Sequence, residues 1–227
     1  MATLSQLVNT VAKCEGMDPA TVSLIARGVR EARLITTGGR GLSAAKMTVA
    51  DAANLLIAVN ATVSAREAPQ TVRNYRRLET VAWFRRDDKV VHAERTQLGD
   101  AIEHLIEAAS IRTLKNYLTT TVPLLIAQEF HKERAKIELI FHKPMPYAHL
   151  TISALEGYSS WIGGLRPEDD LFDKYFDKIT QIEFKFNLPS DPVQRRAKRH
   201  YGDRKDTTSI GYSTIRAISK LFGEKAE

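Results

Sequence analysis

Residues 18–48, DPATVSLIARGVREARLITTGGRGLSAAKMT, decide how this chain is read. Asp18-Pro19 is a helix start, because an aspartate accepts from exposed amides at the N-cap and a proline at the first helical position loses no hydrogen bond. Val22, Ile25, Val29 and Ala32 then recur at helical spacing and form one apolar stripe. At 100° per residue, Ser23, Arg27 and Arg30 gather on a different, polar face. Leu34–Thr37 has strand character, Gly38-Gly39-Arg40-Gly41 is a turn, and Leu42–Met47, carrying Lys46, reads as a returning strand. The order expected is a helix, a basic hairpin and a further helix.

Working outward, Leu4, Leu7, Val8, Val11 and Ala12 give the period of an amphipathic helix over Leu4–Cys14, with Thr3 or Ser5 to cap it and Gly16 to end it. Thr48 caps the helix after the hairpin, and Asp51 stands at capping-box spacing. Its apolar residues are Ala52, Leu55, Leu56, Val59 and Val63. A first domain is therefore expected over residues 1–65, with Ala65–Pro69 as its boundary. Residues 66–95 form a basic connecting segment in which arginines mix with Tyr75, Trp83 and Phe84 and no period emerges. Residues 96–227 read as an α+β domain. It has a helix over Leu98–Ala109, an apolar segment over Thr121–Phe130, and a β-hairpin formed by 136–142 and 147–153 around Pro144 and Pro146. A third strand is expected over Ile179–Phe186, with Ile182, Phe184 and Phe186 inward. The last helix is expected over Ser213–Phe222, capped by Ser213 and stopped by Gly223.

The 227 residues are enough for one large or two small domains with a proper core, and 43% hydrophobic and 26% charged residues are ordinary for a globular protein. The longest apolar runs, Ala52–Val59 and Val122–Ala127, are far too short to span a bilayer. The first residues lack the basic start and apolar stretch of a signal peptide, and the single cysteine, Cys14, permits no intrachain disulfide. Cytoplasmic residence is the simplest expectation, with no membrane association. The net charge of +6 is unevenly spread: +5 over residues 1–95, −3 over 96–190 and +4 over 191–227. A basic head and tail around a slightly acidic middle fit a nucleic-acid-reading module attached to something else.

Arginine reaches guanine O6 and N7 in a bidentate manner, worth about 1–3 kcal/mol of discrimination, so Arg27 and Arg30 beside Ser23 are candidate base-reading residues. Arg40 at a glycine tip suits a narrow minor groove, where the negative potential is deepest. A second basic cluster is Arg195, Arg196, Lys198 and Arg199 with His200, Tyr201, Arg204 and Lys205: six cations within eleven residues. A third is Arg73, Arg76 and Arg77 around Tyr75. Both are candidates for phosphate contact, and solvated helix faces or loops are the plain alternative.

Catalytic signals are poor. The glycine turn lacks the Gly-Lys-Ser/Thr of a phosphate loop. His142 and His149 flank the expected hairpin turn and could face each other, with His131 nearby, but no third ligand has metal-site spacing. Glu168, Asp169, Asp170 and Asp173 could gather Mg²⁺ as in a nuclease, but such a run is more often the acidic first turn of a helix. Cys14 has no base partner, and Trp83 and Trp161 are expected to pack. No enzymatic activity, cofactor or metal is expected.

Residues 22–41, VSLIARGVREARLITTGGRG, resemble the recognition helix and wing of bacterial winged helix-turn-helix regulators. In those proteins a helix with paired arginines runs into a Gly-Leu-Ile or similar triplet and then the wing. Here Arg33 stands where glycine is common. The chain also resembles proteins carried by prophages. The resemblance covers residues 3–65, under a third of the chain. It implies a winged helix-turn-helix at the N-terminus; with the residue pattern of 96–227, the fold expected is α+β, an N-terminal winged helix-turn-helix followed by an α+β domain with a small antiparallel sheet. The expected function is sequence-specific binding of double-stranded DNA by an oligomer, a homodimer in the first instance, as in a bacterial or phage transcription regulator. The alternatives are a phage-type DNA-packaging (small-terminase-like) or replication-initiation component, a metal-dependent nuclease, or a module that binds a host or phage protein.

Overall fold

Local chemistry at the caps sets the first three helices. Thr3 accepts from the Gln6 amide while Gln6 accepts from the Thr3 amide, which starts α1 (Leu4–Glu15), and Gly16 ends it with φ 64°. Asp18 accepts from the Thr21 amide at 3.0 Å and starts α2 (Pro19–Glu31). Thr48 and Asp51 form a reciprocal capping box at the head of α3 (Val49–Ala61). Such caps are each worth about 1 kcal/mol. The computed structural model describes residues 2–38, 45–86, 89–110, 135–154, 179–187 and 206–223.

The segment without a sequence period resolves into α4 (Ala68–Arg76) and two strands, β1 (Glu79–Arg86) and β2 (Lys89–Gln97). Next come α5 (Leu98–Ser110), β3 (Ala135–Lys143), β4 (Tyr147–Ala154), β5 (Ile179–Phe186), β6 (Asp206–Gly211) and α6 (Tyr212–Ser219). The six strands form one antiparallel sheet in the order β2-β1-β5-β4-β3-β6. The expected hairpin and the expected strand over 179–186 are both present, with Phe186 buried and Lys185 exposed. The sheet is larger than expected because the basic segment supplies two of its strands. The last helix starts a residue early. β6 runs straight into it through Gly211, which takes the N-cap place with no side-chain bond, so Ser213 lies inside the helix and caps nothing. That helix closes at Ser219, where the Gly223 amide reaches the Ser219 carbonyl at 3.0 Å.

Helices cover one face of the sheet. Ile137, Leu139 and Phe141 of β3, Ala148 and Leu150 of β4, Phe186 and Ile210 point into the core, while Glu138 between them is exposed. α3 is central: every residue from Asp51 to Ala61 is buried, the signature of a helix surrounded on all sides. It packs against α2, α4 and α5 and touches β3 and β6. Val63, expected as part of its apolar face, lies past its end and is 68% exposed.

The buried residues of the first 65 positions and those of the sheet and later helices form one continuous cluster, so the core crosses the expected boundary at 65–69. α1 packs on α6. The Thr208 hydroxyl donates to the Asn60 carbonyl, and the Tyr75 hydroxyl donates to the His142 carbonyl beside a Tyr75–Phe141 ring contact at 6.1 Å. Residue 75, read from sequence as an aromatic within a basic patch, is a fully buried core side chain. No helix among the described residues is long and apolar enough to cross a membrane.

Candidate nucleic-acid interface

α2 buries Val22, Ile25, Ala26 and Val29 and leaves Ser23, Arg27 and Arg30 exposed, as its spacing requires. Its outermost line, opposite the buried stripe, runs through Ala20, Leu24, Arg27 and Glu31. Leu24, 60% exposed on that line, is an apolar contact that polar-face reasoning from the sequence overlooks. Arg27 Nε donates to Glu31 Oε1 at 2.7 Å, one turn along, in an exposed pair that solvent screens heavily. Arg27 is therefore presented but partnered, and a nucleic acid would have to displace Glu31 from it.

The chain leaves α2 through a complete Schellman motif. The Arg33 amide donates to the Arg30 carbonyl at 2.9 Å and the Leu34 amide to the Val29 carbonyl at 3.1 Å. This places Arg33 in the left-handed region with φ 59°, the only non-glycine residue there among the described residues. The glycine-like place that the sequence pattern marks is thus real, but an arginine occupies it.

No strand is present in the described parts of the expected wing, and residues 39–44, which include its turn and the start of its second strand, lie outside the described residues. Within Leu34–Gly38 and Ala45–Thr48, backbone groups that a two-stranded ladder would use bond elsewhere. The Thr36 and Thr48 amides both donate to the Asp51 carboxylate, at 2.8 Å each, and the hydroxyls of the same threonines donate to it at 3.1 and 3.0 Å. The Met47 amide goes to the Ala2 carbonyl at 2.8 Å, and the Leu34 carbonyl accepts from the Asn54 side chain. The two limbs still meet closely: a Cβ on Gly38 would lie 2.6 Å from the Ala45 nitrogen, so only glycine fits. One buried carboxylate thus holds both feet of the loop that carries residues 39–44. Arg40 lies outside the described residues; Lys46 is exposed on the returning limb.

The third basic cluster is divided. Arg73 and Arg77 are exposed on α4, with Arg77 Nε donating to the Arg73 carbonyl at 3.3 Å. Arg76 turns inward. It donates to Asn54 Oδ1 at 2.7 Å and pairs with Glu103, with Asp100 at 3.9 Å. Its guanidinium lies across Gly99, where a Cβ would come within 2.8 Å of Nε. Committed to α3 and α5, Arg76 is no phosphate ligand. It reaches the loop instead, through Asn54 to the Leu34 carbonyl.

The second cluster, Arg195, Arg196, Lys198 and Arg199, lies outside the described residues, as do Thr121–Phe130, His131, Trp161 and the acidic run from Glu168 to Asp173. His142 and His149 are not cross-strand partners. His142 faces Tyr147 in register, with ring centroids 4.8 Å apart, and His149 faces Ile140, because the turn between β3 and β4 is too short to place 142 opposite 149. No group of three or more His, Cys, Asp or Glu that could hold a metal ion occurs among the described residues. Cys14 is half-buried, and burial together with the neighbouring Glu15 carboxylate raises its thiol pKa, the reverse of an activated nucleophile.

Comparison with known proteins gives no match: no family model fits the chain, and neither a curated protein nor a solved structure matches it.

Proposed function

We propose that this protein binds double-stranded DNA in a sequence-specific manner as an oligomer, acting as a transcription regulator of bacterial or phage type. In this reading α2 enters the major groove, and the segment between Gly38 and Ala45, which carries Arg40, lies against the flanking DNA in the manner of a winged helix-turn-helix. The observation that carries it is the exposed face of α2, where Ser23, Leu24, Arg27 and Arg30 are offered together to solvent. Serine and arginine read donors and acceptors on base edges, and an apolar side chain suits the thymine methyl. A helix is about 10–12 Å across, which fits a major groove about 12 Å wide. One short helix reads too few base pairs for genomic specificity, and two-fold pairing doubles the readout.

The test is selection from a random duplex pool at two salt concentrations, with the native chain beside an Arg27→Ala/Arg30→Ala/Arg40→Ala variant. Enrichment of one sequence motif, lost in the variant, is the expected result. Salt-sensitive binding without enrichment would favour a packaging or replication role instead. Absence of binding by the native chain would overturn the reading and leave interaction with another protein as the better account.

A further inference from the structure

We propose that Arg33 is a DNA-backbone contact, a phosphate-binding side chain held out at the end of α2 by its left-handed backbone. The inference rests on the reading of α2 as the groove helix and extends it to a residue outside the polar face of that helix.

Three observations carry it. Arg33 has φ 59° at the position following the helix C-cap, where glycine is favoured because it has no Cβ to clash. The side chain is exposed and takes part in no ion pair among the described residues, so the fold gains nothing visible from a long cation there. Nor is a further charge needed at this helix end, since Arg30 already stands in the last turn. A non-glycine residue persists in the left-handed region only where its surroundings over-determine it, and strain of this kind gathers at functional positions.

Those surroundings are unusually firm. Both Schellman bonds fix the backbone before and after Arg33, and the next carbonyl, that of Leu34, is held by Asn54, which Arg76 holds in turn. The side chain is thus presented from a backbone that loses no freedom on binding. Arg27 lies five residues before the C-cap Ala32, about 7.5 Å along the helix axis, and Arg33 follows directly after that cap. With Arg27 over the base edges, that offset carries Arg33 towards the phosphates bordering a groove about 12 Å wide. A guanidinium there neutralises one phosphate and contributes to affinity regardless of base sequence.

The experiment measures binding of the full chain to a labelled random-sequence duplex of about 30 base pairs between about 50 and 200 mM salt. Native protein, Arg33→Gly, Arg33→Lys and Arg27→Ala/Arg30→Ala are compared, with a thermal melt of each. Arg33→Gly is expected to melt about 2–4 °C higher, because it relieves the backbone, yet to bind several-fold more weakly with a salt slope smaller by about one. Arg33→Lys is expected to keep the native slope. Unchanged affinity and slope in Arg33→Gly, with binding lost in Arg27→Ala/Arg30→Ala, would overturn this inference and leave the DNA reading standing. Equal losses in Arg33→Gly and Arg33→Lys with the native slope retained would also overturn it. No binding by the native chain would overturn both.

Discussion

α2 and α4 each carry arginines in and just beyond their last turns, and one of them, Arg76, meets a different fate from the rest. On α2, Arg27, Arg30 and, just beyond the helix, Arg33 all point to solvent. On α4, Arg73 and Arg77 are exposed, but Arg76 between them is drawn into a polar chain from Glu103 through Asn54 to the Leu34 carbonyl. Helix spacing alone does not separate these cases. The difference lies in the neighbours: Arg76 finds two acidic residues of α5, an amide of α3 and the space left by Gly99, whereas the outer face of α2 is exposed, with no element packed over it among the described residues. Whether an arginine stays on the surface is thus decided by what neighbouring elements offer it, not by its helix spacing.

The largest effect expected from breaking this contrast is at Asp51, whose carboxylate accepts from two amides and two hydroxyls at the feet of the loop. Asp51→Ala leaves those donors without their partner and is expected to cost about 3 kcal/mol, lowering the melting temperature by roughly 6–12 °C. Calorimetry checks it, and a loss under about 1 kcal/mol would show that water replaces the carboxylate readily.

The contrast itself is sharpened by single truncations in the two helices. Arg76→Ala removes the donor to the Asn54 side-chain oxygen and the cation beside the half-buried Glu103, and is expected to cost about 2 kcal/mol in denaturant unfolding. Arg30→Ala, on an exposed face, should stay within about 0.5 kcal/mol. Equal costs would erase the distinction between a structural and a presented arginine.

The smallest effect concerns a half-buried carboxylate that forms no ion pair among the described residues. Burial raises the pKa of Glu15 at the end of α1, opposed by hydrogen bonds from Thr214 and Asn60. A carboxyl whose folded pKa is raised favours the protonated fold. The native chain should therefore gain stability as pH falls through that raised value, the gain being complete below the ordinary value of 4.5. Glu15→Gln should melt slightly higher than native protein at pH 7, and the two should converge in acid. Melting curves that stay parallel from pH 7 to pH 4 would contradict this.

What the sequence discloses and what it conceals divide along the range of the interactions. The boundaries of α1, α2 and α3 are legible because caps act over three residues: Thr3 with Gln6, Asp18 with Thr21, Thr48 with Asp51. The β3–β4 hairpin is legible because its alternation and its turn are contiguous. The strand β5, visible as a strand, gives no sign that it lies between β1 and β4, since pairing choice depends on residues far along the chain. The inward turn of Arg76 depends on partners 22 and 27 residues away. The absence of a strand at Leu34–Gly38 is concealed for the same reason: its composition suits a strand, but Asp51 and Asn54, far along the chain, take the Thr36 amide and the Leu34 carbonyl. Of the candidate interface, the polar face of α2 and the glycine-like place at Arg33 are legible, and the exposure of Leu24 is not.

The double anchorage at Asp51 has an evolutionary consequence. Thr36 and Thr48 are both fastened to one carboxylate at the head of a buried helix. A change at any one of the three positions leaves hydrogen-bonding groups of its partners unmatched, so the trio is expected to be inherited as a unit rather than to drift one residue at a time.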